Sequence, residues 1–296
     1  MTELTTYGIQ QILTYPFKDP RWKSKLGLGM LLTLAGMFVP VIPSLIVIGY
    51  GYQILHRLVV ERGDLYLPEW DDWGKYFKDG WRLFAVSFVY MLPAVVVGMI
   101  GVAAYAGMFV AMIAAGDTND PAVMAPMFIA MAILFISMAL SMLLIMAAAL
   151  LLPPATAHAV AHGSFSAAFD FTGWWKILKA NFGGFFLAIV IISGVMGIIY
   201  FVSYIFYTTI VLMCMMFILP LVFSFYMMLV GYPLYGLAYR EGVDKLTAID
   251  DTPVNNGTAA GTRASAEVPS QPVKEAPETP AKAPSKPRAK RPRARE

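Results

Sequence analysis

The chain has 296 residues and a net charge of +3, with 58% of residues apolar or aromatic and only 14% charged. Mean hydropathy is +0.63. A soluble domain carries about a quarter of its residues as charge, so composition excludes a soluble enzyme, and the single cysteine, Cys214, excludes a disulfide-stapled secreted domain.

The charge is unevenly spread. No Lys or Arg occurs between Arg82 and Lys176, and no charged residue occurs between Lys179 and Arg240. Runs this long and apolar belong in a bilayer. Residues 1–244 carry 12 basic and 13 acidic residues, a balance of −1; residues 245–296 carry 10 and 6, a balance of +4. The basic character is a property of the tail, and nucleic acid is not an expected partner.

The N-terminal stretch holds no compact apolar region followed by a small-residue cleavage site. The first apolar helix is therefore expected to act as an uncleaved insertion signal. Leu4, Tyr7, Ile12 and Tyr15 are expected to form a short amphipathic stripe on the membrane surface. The first apolar segment covers residues 26–55 and contains Pro40 and Pro43. Proline removes a backbone donor and clashes with the preceding turn, so the segment is either one kinked span or a hairpin of two short helices.

The second apolar segment, residues 83–115, contains Pro93 as an expected kink. A polar turn follows at 116–121. The third covers about 122–156 and is expected to end near Pro153-Pro154. The fourth, residues 182–239, is long enough for two spans, with a turn expected at 204–209.

Basic residues concentrate in cytoplasmic loops. Here they fall at 18–25, 57–82, 176–179 and from 240 onward. If residues 26–55 form a hairpin, all 22 basic residues lie on one side; if they cross once, Arg57, Arg62, Lys75, Lys78 and Arg82 lie opposite the N-terminal cluster. The hairpin is favoured. The expectation is an all-α, polytopic plasma-membrane protein with six membrane helices, the first two short or re-entrant, and both termini cytoplasmic. Residues 1–245 form the membrane domain and residues 246–296 a disordered tail rich in Pro, Ala, Lys and Arg.

All six tryptophans, Trp22, Trp70, Trp73, Trp81, Trp174 and Trp175, fall in segments assigned to the cytoplasmic side. Tryptophan favours the membrane interface. Three Trp-bearing segments, at 17–25, 69–81 and 169–182, each mix Trp, Phe, Lys and Asp and lead into a hairpin. Two hairpins also end alike, at Gly49-Tyr50 and Gly231-Tyr232. The pattern reads as three copies of an interfacial helix followed by a helix pair.

The motif Leu67-Pro68-Glu69-Trp70-Asp71-Asp72-Trp73-Gly74 resembles the signature of a bacterial and archaeal family of uncharacterised membrane proteins, classed as a domain of unknown function. The resemblance extends to Asp19-Pro20-x-Trp22, Phe77-Lys78-Asp79-Gly80, Tyr90-x-x-Pro93, His162-Gly163-x-Phe165 and Leu234-Tyr235-Gly236-x-Ala238-Tyr239, over about residues 16–240. Near the end, Gly236-Leu237-Ala238-Tyr239 stands where the family tends to read Gly-Arg-Ala-Tyr, which removes one cationic contact. The resemblance implies an integral membrane protein and carries no activity.

Glu69, Asp71 and Asp72 suit either a cation or a helix start, with Pro68 in the first turn; consecutive acids do not share a helix face, which favours the helix start. His158 and His162, four apart, have the spacing of a zinc pair, but no third ligand is evident beyond Asp170, and surface polarity is favoured. No Asp, Glu, Lys, Arg or His lies within residues 83–115, 122–156 or 182–239, which disfavours ion coupling. Ser137, Ser141, Ser193, Ser203, Tyr204, Tyr207, Thr208 and Thr209 could line a pore or join helices, with joining favoured. The methionines, among them Met213, Met215, Met216, Met227 and Met228, read as packing residues. No cofactor motif is present. Tail residues Lys286, Arg288, Lys290, Arg291, Arg293 and Arg295 could hold an anionic lipid or another polyanion, or serve only as a topology anchor.

The leading functional expectation is a non-enzymatic membrane protein whose inner-leaflet helices act on lipids or a protein partner. A permease or channel for a small neutral or lipid-like solute would show polar groups facing one cavity. A membrane-embedded enzyme would show a buried carboxylate–histidine site near His158, His162 and Asp170.

Overall fold

A computed structural model describes residues 8–39, 41–116, 121–208 and 215–250. Among these residues every regular element is helical. Helix α1 (Ile9–Thr14) and a 3-10 turn (Tyr15–Lys18) lead into α2 (Trp22–Ala35) and α3 (Ile42–Val59). Then come α4 (Trp73–Ala115), α5 (Pro121–Ala161), a 3-10 turn (Ser166–Phe169), α6 (Phe171–Ala180), α7 (Phe182–Thr208) and α8 (Met215–Asp250).

Residues 26–55 form two helices, not one kinked span. Pro43 sits in the first turn of α3, where its missing N–H has no intrahelical partner to lose. At 14 and 18 residues, α2 and α3 are about 21 and 27 Å long. Four stretches are long and apolar enough to cross a membrane: Trp73–Ala115, Met124–Ala161, Phe182–Phe206 and Ile218–Ile249. In the first three only 17% of the most apolar window is buried, so most of their apolar surface faces outward, as lipid requires.

Three helix boundaries depart from the sequence expectation. The Trp-bearing segment at 69–81 does not form a separate interfacial helix: Trp73 opens α4, which continues to Ala115 with Pro93 inside it. Only α6, set off from α7 by Asn181, stands alone. The uncharged part of α4, residues 83–115, is about 50 Å long, beyond the ~30 Å hydrocarbon core. Helix α5 does not end at Pro153-Pro154 but continues to Ala161. Burial of Ala155, Ala157, Ala159 and Val160, all at 1% exposure or less, holds the turn that proline weakens. Residues 204–208 are still helical; residues 117–120 and 209–214, which include Cys214 and parts of both expected turns, lie outside the described residues, as do Leu4 and Tyr7.

Ile12 and Tyr15 point inward, at 1% and 5% exposure, and not onto a membrane surface. The Tyr15 hydroxyl donates to the Leu229 carbonyl at 2.9 Å, and the Tyr226 hydroxyl donates to the Leu13 carbonyl at 2.9 Å. Helix α8 is the hub and touches α2, α3, α6 and α7. Its buried Leu229, Val230, Leu234, Leu237 and Ala238 join Tyr50, Leu55 and Trp174 in the main core. The two similar helix ends meet: a methyl group added at Gly51 would strike the Tyr232 ring, and Arg62 pairs with Asp244 at 2.6 Å.

Candidate functional site

The signature forms a strap that runs into the start of a helix, with Asp72 at the N-cap and Trp73 as the first residue of α4. Residues 63–69 are irregular, and Asp72 alone caps α4, its carboxylate accepting from the Lys75 N–H at 3.0 Å. Pro68 therefore lies outside the helix; its carbonyl accepts from the Tyr50 hydroxyl at 2.8 Å. Trp70 stacks on Tyr50 at 4.1 Å and meets Trp73 at 5.7 Å and Phe225 of α8 at 6.2 Å. Its indole N–H donates to the Lys25 carbonyl at 3.1 Å.

Lys25 is the feature that sequence patterning missed. It is 4% exposed. Its ammonium contacts Asp19 at 2.6 Å, Glu69 at 2.7 Å and the Leu67 carbonyl at 2.9 Å. Arg21 reaches the same Glu69 oxygen at 2.7 Å. Burial alone would raise the Asp19 carboxyl; the Lys25 hydrogen bond, the Arg21 backbone N–H and the two cationic charges outweigh it and hold the group below its usual range. The acidic cluster is thus divided: Glu69 anchors Lys25 and Arg21, Asp72 caps α4, and Asp71 lies on the rim of a pocket of about 330 Å³ beside Tyr66 and Lys75.

The tryptophans split by depth. Trp73, Trp81 and Trp175 are 41%, 55% and 43% exposed and can meet an interface. Trp22 and Trp70 are half-buried and Trp174 is 1% exposed. Trp174 directs its N–H to the Ala168 carbonyl at 3.1 Å, so it and Trp70 serve the interior. The tail residues Lys286, Arg288, Lys290, Arg291, Arg293 and Arg295 lie outside the described residues.

The structure brings His158, His162 and Asp170 together and adds Tyr239. His158 is 6% exposed. Its Nδ1 is 2.7 Å from the Tyr239 hydroxyl and its Nε2 is 3.8 Å from Asp170. Asp170 also caps α6, accepting from the Gly173 N–H at 3.1 Å. Gly173 keeps this space open: a methyl group added to it would meet the Asp170 carboxylate and crowd the His158 ring. The ring of His162 is 4.3 Å from that of His158. Among the described residues no group of three or more His, Cys, Asp or Glu is gathered for a metal ion. Further out on α8, Lys245 bridges Glu241 and Asn181 at 2.8 Å each, and Asn181 donates to the Ala238 carbonyl at 2.8 Å.

Deeper in the bundle, α4, α5, α7 and α8 line an open pocket of about 400 Å³. Its walls are apolar, with Leu152, Pro153, Ile192, Met196, Met227 and Met228. Ser87, Thr156, Ser224, Tyr232 and Tyr235 add hydroxyls, and no charged side chain lines it. Ser87 lies five residues beyond Arg82, and Tyr232 lies eight before Arg240. At 1.5 Å per residue the pocket begins about 8–12 Å inward from the charged helix ends.

The serines expected to join helices do so unevenly. The Ser141 hydroxyl donates to the Ala94 carbonyl of α4 at 2.8 Å. Ser137 and Ser203 bond within their own helices, to Leu134 and Ile199, at 2.8 Å each.

A family model described as a protein of unknown function (DUF4013) matches residues 32–208. The chain belongs to this family. No curated protein and no solved structure matches it. The DUF4013 region contains the strap, His158, His162, Asp170 and three walls of the pocket, and it stops before α8. Helix α8 nevertheless supplies Tyr239 and the fourth wall. Leu237, the position where an arginine was the expected family residue, is fully buried in this member, so here it is a core position and not a contact surface.

Proposed function

We propose that this DUF4013 protein is a non-enzymatic lipid-binding membrane protein. The observation that carries this reading is the pocket of about 400 Å³ between four membrane-capable helices, apolar on its walls and hydroxylated but uncharged. Such a lining suits the apolar body of an amphiphile, with hydroxyls orienting a neutral polar group. Exposed Trp73, Trp81 and Trp175 would sit at the inner-leaflet interface, placing the pocket at the depth of the cytoplasmic acyl chains. In this arrangement the protein is in the plasma membrane, both termini are cytoplasmic, α2 and α3 add two short crossings to the four long ones, and the basic tail adds an anionic-lipid contact.

The test is lipid extraction from the purified chain, comparing wild type with Met228→Trp, which fills the pocket. Wild type should retain a defined lipid that the variant loses; equal retention would reject the reading. A second reading, a permease for a small neutral or lipid-like solute, is favoured by the five hydroxyls sharing one cavity. Solute flux in proteoliposomes, abolished by Met228→Trp, would select it over static binding.

A further inference from the structure

A second pocket, of about 300 Å³, opens at the charged end of the bundle where α3, α5, α6 and α8 converge. Its polar lining consists of Arg62, His158, His162, Tyr239 and Arg240. His158, Ala161 and His162 lie on the opposite side of α5 from Leu152, Pro153 and Thr156, given about 3.6 residues per turn. This pocket is therefore separate from the lipid pocket, and the inference does not depend on that reading.

We propose that this second pocket binds a phosphate group, carried either by a lipid headgroup or by a soluble molecule. Arg62, Arg240 and His162 line one space, whose floor is the His158 ring and the Tyr239 hydroxyl bonded to each other. Phosphate is held by several convergent cationic or hydroxyl donors, and arginine is well suited because its planar fork fits two oxygens. Two carboxylates beside it, Asp244 and Asp170, are already engaged. Asp244 holds Arg62 through contacts of 2.6 and 3.3 Å, leaving Arg62 further N–H donors of its five. Asp170 lies at His158 Nε2, at 3.8 Å, and caps α6. The floor is rigid, because the buried His158 ring is pinned to the Tyr239 hydroxyl.

The backbone sets the course of Arg62. It is the one non-glycine residue with positive φ, +51°, among the described residues. It lies in the capping turn at the end of α3, where the Gly63 N–H donates back to the Arg57 carbonyl at 3.0 Å. From there it delivers the guanidinium across to α8 and the mouth of the pocket.

The test uses the full chain, so the basic tail is constant in every sample. Thermal unfolding is followed with inorganic phosphate in detergent, and in phosphatidylcholine nanodiscs with or without phosphatidic acid. Wild type should be stabilised by at least one of these probes. The double variant Arg240→Gln/His162→Gln should bind about tenfold more weakly or worse, the size expected for lost charge-assisted contacts. Arg240→Lys should retain much of the effect. Stabilisation by free phosphate assigns a soluble ligand; stabilisation only by phosphatidic acid assigns a headgroup. Equal stabilisation of wild type and double variant, or none by either probe, overturns the proposal. Phosphorus NMR of inorganic phosphate and of phosphatidic acid nanodiscs with wild type alone guards against a misfolded variant: no chain-dependent change in either signal also overturns it.

Discussion

Trp70 lies on Tyr50 with ring centroids 4.1 Å apart and planes 19° from parallel. This contact ties the strap between α3 and α4 to the core, and α8 closes over it through Phe225 at 6.2 Å. The signature is thus explained by packing and hydrogen bonding, and the pockets that carry the two proposals lie elsewhere.

Trp70→Ala should be strongly destabilising, by about 3–5 kcal/mol, because it removes a large ring and leaves a cavity. Trp81→Ala, at a position 55% exposed, should barely change unfolding in detergent. If both variants melt alike, the strap does not hold the fold as described. The measurement is fluorescence-detected thermal unfolding.

Lys25→Met should cost about 2–3 kcal/mol. It removes the ammonium from Asp19 and Glu69, but Glu69 keeps Arg21 and is 44% exposed, so Arg21 and water compensate part of the loss. Asp19 adds a pH signature. Its folded carboxyl is depressed, so its stabilising contribution is complete above about pH 4, the unfolded value. That contribution is lost as pH falls through the lower folded value. Unfolding temperature against pH should show this acid-side loss in wild type and a smaller one in Asp19→Asn.

Close helix approach depends on two glycines. A methyl group on Gly49 would meet the Tyr76 carbonyl, and one on Gly80 would meet the Leu45 carbonyl. Gly49→Ala and Gly80→Ala should each destabilise by about 1–3 kcal/mol through forced separation of α3 and α4. Gly194→Ala, with nothing within 4 Å of its added methyl group, should be neutral or slightly stabilising. Equal losses at all three would argue against the packing.

Topology is tested in a Cys214→Ser background. A cysteine at Thr118 should react with an impermeant reagent in intact cells, and a cysteine at Asp64 only after the membrane is opened. Labelling at position 64 from outside would overturn the one-sided arrangement.

Helix content, the pairing of α2 with α3 and the four long apolar stretches were legible in the sequence, because hydropathy and charge spacing are local properties. Two helix ends were misplaced by over-weighting local breakers. Pro153-Pro154 is overridden by the buried alanines that follow, and Trp73 starts a helix that never pauses at the interface. Lys25 was invisible because its partners Leu67 and Glu69 are more than forty residues away. His158 with His162 was visible from spacing, whereas Tyr239 joined them only through tertiary contact. The hydroxyls of the lipid pocket come from three helices, α4, α5 and α8, and no one-dimensional period could have grouped them.

The central claim is that the pocket between α4, α5, α7 and α8 holds a lipid. Native mass spectrometry of the detergent-released chain tests it most directly. Wild type should carry one lipid mass per chain, and Met228→Trp should fly free of it while melting at a similar temperature. A wild-type chain without bound lipid, or a variant that retains the same adduct, would contradict the account.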